Sequence, residues 1–104
     1  MIGRRVPLIV VASATPGTAE RVAGRLIGEG AVAYATHSVE GCLRVATSVA
    51  PDVVLLDPML PRAARSRLVG LLKAHPTSAH ALVRPLTEAV EQAEVERTAH
   101  LVAA

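Results

Sequence analysis

The sequence predicts an α/β domain, a parallel sheet with helices on both faces, built from about four βα units in a single domain over residues 1–104. Three observations carry that expectation. The runs Pro7–Ala12 and Val53–Leu56 are continuously apolar rather than alternating, as in strands covered on both faces. The segments between such runs repeat their apolar residues at helical spacing, with capping chemistry at their ends. Finally, 104 residues leave room for one core, and the connections are short.

Taken in order, Pro7–Ala12 reads as the first strand and ends in turn chemistry at residues 13–17. Thr15 then reads as an N-cap and Pro16 as the first helical position. Ala19, Val22, Ala23, Leu26 and Ile27 form one apolar stripe. Gly28 and Gly30 end this helix, Gly30 as the left-handed C-cap. Residues 31–36 form a second short strand, and Ser38 caps a helix with Val39, Cys42, Leu43 and Ala46 on one face, stopping before Pro51. Val53–Leu56, the most hydrophobic run, is the expected central strand and breaks off at Asp57-Pro58. A third helix carries Leu68, Leu71 and Leu72 inward and stops at His75-Pro76. After a polar link at Thr77 and Ser78, residues 81–83 form the last strand. Thr87 caps a final helix with Glu88 and Glu91 in its first turns and with Val90, Ala93, Arg97 and Leu101 along one side. In such sheets ligands sit beyond the carboxyl ends of the strands, which singles out Ala12, Ser13, Thr36, Asp57 and Arg84.

Composition narrows the function. Tyr34 is the single aromatic residue, which excludes base-stacking modules, methyl-lysine cages and aromatic-lined proline grooves. A net charge of +2 from dispersed arginines and one lysine does not call for nucleic acid. Arg62, Arg65 and Arg67 read as a solvated helix start. A lone Cys42, set on an apolar helix face, rules out an internal disulfide and a multi-thiolate metal site. His37, His75, His80 and His100 show no ligand spacing, so no metal is expected on them. Residues 6–19, the longest stretch without Asp, Glu, Lys or Arg, are too short to span a membrane. The Arg4-Arg5 start with Ala12-Ser13-Ala14 looks superficially like a signal peptide, but Pro7 and the helix that follows favour a buried strand, hence a cytoplasmic domain. The acids are the most informative count. Seven are Glu, and only Asp52 and Asp57 are Asp.

Val53-Val-Leu-Leu-Asp57-Pro-Met-Leu-Pro61 resembles the third strand and phosphoacceptor loop of bacterial response-regulator receiver domains. Gly28-Glu-Gly30, Ser38 to Ala46 and Ala50-Pro-Asp52 are similar to the family's second unit and its entry to the third strand. Leu82-Val-Arg84-Pro85-Leu-Thr-Glu-Ala-Val90 looks like the end of its fifth strand. The resemblance covers nearly the whole chain. It implies a flavodoxin-like sheet in a two-component phosphorelay, with Asp57 as phosphoacceptor, Arg84 where the family has a phosphate-contacting Lys, and Met59 and Thr87 as weaker loop and switch candidates.

The departures from the family shape the expectation. Receivers hold Mg²⁺ with two adjacent acids at the end of the first strand, where this chain has Ala12 and Ser13. Asp57, the Met59 carbonyl and a Ser13 hydroxyl are a poor set for a cation that demands several hard oxygen ligands. Without the metal, phosphoryl transfer loses orders of magnitude in rate. Arg84 keeps the charge but not the geometry of a lysine, and a salt bridge to Asp57 is its inert reading. The chain is also one βα unit short of five. If Arg84-Pro85 belongs to the fifth unit, the fourth is missing, and this is the preferred assignment; otherwise Thr87 is the switch residue and the fifth unit is absent. Both assignments put the last strand at the sheet edge beside strand three, where Arg84 and Pro85 discourage further pairing.

The resulting expectation is a pseudo-receiver: a non-enzymatic module acting by protein–protein interaction, with no cofactor and no Mg²⁺ unless the receiver is active. Its partner would be a separate signalling protein, a histidine kinase or an output protein, with no nucleic acid or membrane. A shortened sheet with an apolar edge region also favours a homodimer. The alternative is a functional phosphoacceptor taking a phosphoryl group from a histidine kinase on Asp57. A third reading, an unrelated ligand-binding domain, lacks a phosphate-cradling glycine loop.

Overall fold

The computed structural model describes residues 6–86. These form four strands and three helices in strict alternation: β1 (Leu8–Ala12), α1 (Thr18–Gly28), β2 (Val32–Thr36), α2 (Val39–Val49), β3 (Val53–Leu56), α3 (Arg62–Ala74) and β4 (Leu82–Pro85). All strand pairs are parallel, in the order β2-β1-β3-β4. β4 lies against β3, as both assignments of the last strand require. The expected final helix, with Thr87 at its start, lies outside the described residues.

The two central strands are apolar on both sides because both sides are covered. Ile9, Val11, Val53 and Leu55 pack with Ala19, Val22 and Leu26 of α1 on one face. Val10, Ala12, Val54 and Leu56 pack with Cys42 and Ala46 of α2 and with Leu68 and Leu72 of α3 on the other. Each fully buried Leu or Val contributes about 1.5–3 kcal/mol of transfer free energy. These two layers therefore supply most of the driving force available to a sheet whose single aromatic residue, Tyr34, is largely exposed.

Several helix ends form as their sequence dictates. Ser38 is the N-cap of α2 and its Oγ accepts from the Gly41 N–H at 2.9 Å. Gly30, at φ 97°, takes the left-handed conformation after α1, which only glycine adopts without strain. α2 stops at Ala50, itself left-handed at φ 51°, just before Pro51.

Three expectations need correction. Thr15-Pro16 does not start α1: the helix begins at Thr18 behind a left-handed Gly17, after a turn closed by Thr18 N–H to the Thr15 carbonyl at 3.2 Å. Ile27 and Leu71, placed inward by periodicity, are 55% and 39% exposed. Each sits at the margin of its stripe, and Leu71 lines an open groove with Leu43 and Thr47 of α2. The last strand runs over Leu82–Pro85 rather than residues 81–83, with Ala81 buried just before it. Pro85 fits because it is the final residue of an edge strand, where no ladder donor is lost.

Candidate functional site

The site follows from the strand order. β1 lies between β2 and β3, and the chain leaves the ends of β1 and β3 toward opposite faces of the sheet. That topological switch point is where this architecture opens a crevice. The register pairs Ala12 with Leu56, so the next residues, Ser13 and Asp57, emerge side by side. Backbone bonds fix both: Ser13 N–H donates to the Thr36 carbonyl at 3.0 Å, and Asp57 N–H to the Ala12 carbonyl at 3.0 Å.

Asp57 is only 8% exposed, and its carboxylate is held from several sides. Ser13 Oγ, itself fully buried, donates to Oδ2 at 2.6 Å. Thr15 Oγ1 reaches the same oxygen at 3.5 Å, while Thr15 N–H donates back to Ser13 Oγ at 3.2 Å. Oδ1 accepts from the Met59 N–H at 2.9 Å. Burial works to raise the Asp57 pKa, but the Ser13 hydroxyl, the Met59 N–H, Thr15 and the charge of Arg65 together hold it below the ordinary carboxylate value. Asp57 is therefore ionised at neutral pH, and both of its oxygens already accept hydrogen bonds.

The residues singled out from the sequence fall into two groups. Ser13, Asp57 and the backbone of Met59 meet in one cluster, with the Met59 side chain standing 82% exposed above it. Ala12 is next to this cluster but faces the apolar layer, buried with Cys42, Ala46 and Leu56, so an acid there would have to leave that layer. Thr36 is satisfied structurally, its Oγ1 donating to the Val11 carbonyl at 2.8 Å. Arg84 sits opposite Leu55 in the ladder, two residues short of Asp57, and its guanidinium donates to the Val83 carbonyl at 3.1 Å. Among the described residues, the cation whose charge lowers the Asp57 pKa is Arg65. Arg84 and Arg65 instead share a cleft of about 520 Å³, lined also by Leu56, Ser66, Val69, Val83 and Pro85, between α3 and β4. Thr87 lies outside the described residues.

Two members of the cluster were not anticipated. Thr15 reads locally as a helix cap, and only the turn at Gly17 frees its hydroxyl to face Asp57. Arg65 is anchored by its Nε, which donates to the Leu60 carbonyl at 2.9 Å. That bond holds the guanidinium against the loop after β3, where a sequence pattern shows only a basic helix start.

No family model and no curated protein matches the sequence. Solved structures do match in shape. A response regulator from Desulfuromonas acetoxidans superposes with a TM-score of 0.65 at 19% identity, over 88% of this chain and 76% of that one. A receiver protein's N-terminal domain from Methanoculleus marisnigri JR1 gives 0.64 at 18% identity, over 96% of this chain and 99% of its own. The fold is that of a response-regulator receiver. The beryllofluoride-activated NtrC receiver domain is equally similar, at a TM-score of 0.64 and 16% identity over 90% of this chain and 77% of that one. In this receiver fold, the acid-pair positions of the sequence resemblance are held by a buried methyl group, Ala12, and by a hydroxyl bonded to the Asp57 carboxylate, Ser13.

Proposed function

We propose that this chain is a pseudo-receiver: a signalling module with the receiver fold that acts by binding another protein, without Mg²⁺-dependent phosphorylation of Asp57. One observation carries the reading, the 2.6 Å hydrogen bond from Ser13 Oγ to Asp57 Oδ2. An acid at position 13 beside Asp57 would create a repulsion that a bound cation or protonation relieves. The serine hydroxyl replaces that repulsion with a hydrogen bond that stabilises the Asp57 charge inside the protein.

The donor set also fits Mg²⁺ poorly. Near-octahedral coordination by hard oxygens is its requirement, and the strand ends offer one carboxylate whose oxygens are engaged, a hydroxyl already donating, and carbonyls. Without a cation to neutralise the phosphoryl oxygens, transfer to the carboxylate loses its main electrostatic assistance. The ionised state of Asp57 favours the other reading, an acceptor still able to attack a phosphodonor. Incubation with a low-molecular-weight phosphodonor and Mg²⁺, read by intact mass, separates the two. The pseudo-receiver reading expects an unchanged mass; an added phosphoryl group that disappears in Asp57→Ala overturns it.

A further inference from the structure

The two edges of the sheet are built differently. β4 carries a charge and a proline, Arg84 and Pro85, the usual devices against uncontrolled pairing. β2, at the opposite edge, reads Val-Ala-Tyr-Ala-Thr, with neither charge nor proline. Its bonds to β1 fix which backbone groups face outward. Val32 N–H donates to the Pro7 carbonyl at 2.8 Å, and the Thr36 carbonyl accepts from Ser13 N–H at 3.0 Å. In a parallel ladder, residues 32, 34 and 36 then spend both backbone groups on β1, and Ala33 and Ala35 turn theirs to the open side. Among the described residues no strand lies there.

The side chains along this edge are unusual too. Val32 and Tyr34 are 42% and 39% exposed on β2. On α1, Ile27 projects from the same side as Glu20, whose carboxylate bonds His37 just past the end of β2, so its exposed side chain flanks the edge. A free strand edge with apolar flanks is a template for another strand.

We infer that the β2 edge is the interface between two copies of this chain, paired antiparallel about a two-fold axis through Tyr34. The occupant follows from self-complementarity. Ala33 and Ala35 are placed symmetrically about Tyr34, so a two-fold there sets Ala33 of one copy opposite Ala35 of the other. All four outward N–H and C=O groups of each copy then pair in hydrogen-bonded positions. Tyr34 falls at the non-hydrogen-bonded centre, where opposite side chains come within about 4.5–5.5 Å, and Val32 lies opposite Thr36 on the same face. The result is one continuous eight-stranded sheet. This interface is independent of whether Asp57 is phosphorylated.

Light scattering on the eluted protein, together with amide hydrogen exchange, tests it. The wild-type chain and Tyr34→Phe should reach the mass of a dimer as concentration rises. Tyr34→Lys sets two like charges opposite each other at an exposed position, and should stay monomeric with an unchanged far-ultraviolet spectrum. Exchange should slow severalfold at Ala33 and Ala35 on dimerisation, while Val32, Tyr34 and Thr36 stay protected at every concentration. A wild-type chain that remains monomeric overturns the proposal. So does a dimer that survives Tyr34→Lys, or fast exchange at Ala33 and Ala35 throughout.

Discussion

Replacing Ser13 by alanine tests the central contact of the site. The substitution removes the 2.6 Å donor to Asp57 and leaves a residue that is 8% exposed with fewer partners for its carboxylate. A hydrogen bond to a charged group contributes about 1.5–3 kcal/mol, so Ser13→Ala should cost about 2 kcal/mol at neutral pH. In a chain of this size that is a fall of about 10 °C in melting temperature. The pH dependence has a definite sign. In the folded protein the Asp57 pKa is lowered, so its contribution to stability is complete above the unfolded carboxyl value of about 3.9 and is lost as pH falls through the folded value. Without Ser13, burial opposes fewer stabilising partners and the folded value rises. The gap between wild type and variant is therefore widest near neutrality and closes on acidification, toward the ~1 kcal/mol of a bond between neutral groups. Guanidinium unfolding followed by circular dichroism at a series of pH values measures it. A variant as stable as wild type at neutral pH, or a gap that grows with acid, refutes the claim that Ser13 stabilises the ionised Asp57.

Three other outcomes follow from the same geometry. Ser13→Asp sets two carboxylates about 4 Å apart, a repulsion of about 4 kcal/mol at an effective dielectric near 20; the melting temperature should fall at neutral pH and recover on adding Mg²⁺ or acid. Leu72→Ala opens a cavity between α3 and the sheet, at a residue 1% exposed, and should cost about 2–5 kcal/mol in chemical denaturation with an unchanged fold. Burial pushes the Cys42 thiol up to about 11, so alkylation in the native state should be limited by opening of the α2 layer and speed up abruptly on addition of denaturant.

What the sequence made legible was local. Val53–Leu56 read as a strand covered on both sides because every residue in it is apolar, and all four are buried. Ser38 and Gly30 each determine their own turn, so their caps needed no tertiary information. Asp57 was findable because it terminates the central strand. The misreadings came where distant contacts decide. Thr15 satisfies the local rule for an N-cap, and only the proximity of Asp57, 42 residues away, gives its hydroxyl another partner. Ile27 lies on the helix period, yet its exposure depends on where the sheet ends. Arg65 carries a charge any pattern would assign to solvent, and one bond to the Leu60 carbonyl turns it toward the site.

On the proposed reading, the way Asp57 is held also determines what kind of signal the module carries. A switch needs a ligand that binds one conformation better than another. Modification of Oδ2 displaces the Ser13 hydroxyl, and modification of Oδ1 displaces the Met59 N–H. Either loss is a charge-assisted hydrogen bond of about 1.5–3 kcal/mol, with no metal coordination to offset it. The unmodified state is thereby favoured, and the surface around the strand ends is presented in a single form. Binding to a partner then depends on the concentrations of the two proteins, and the serine that quiets the acceptor also keeps the binding surface fixed.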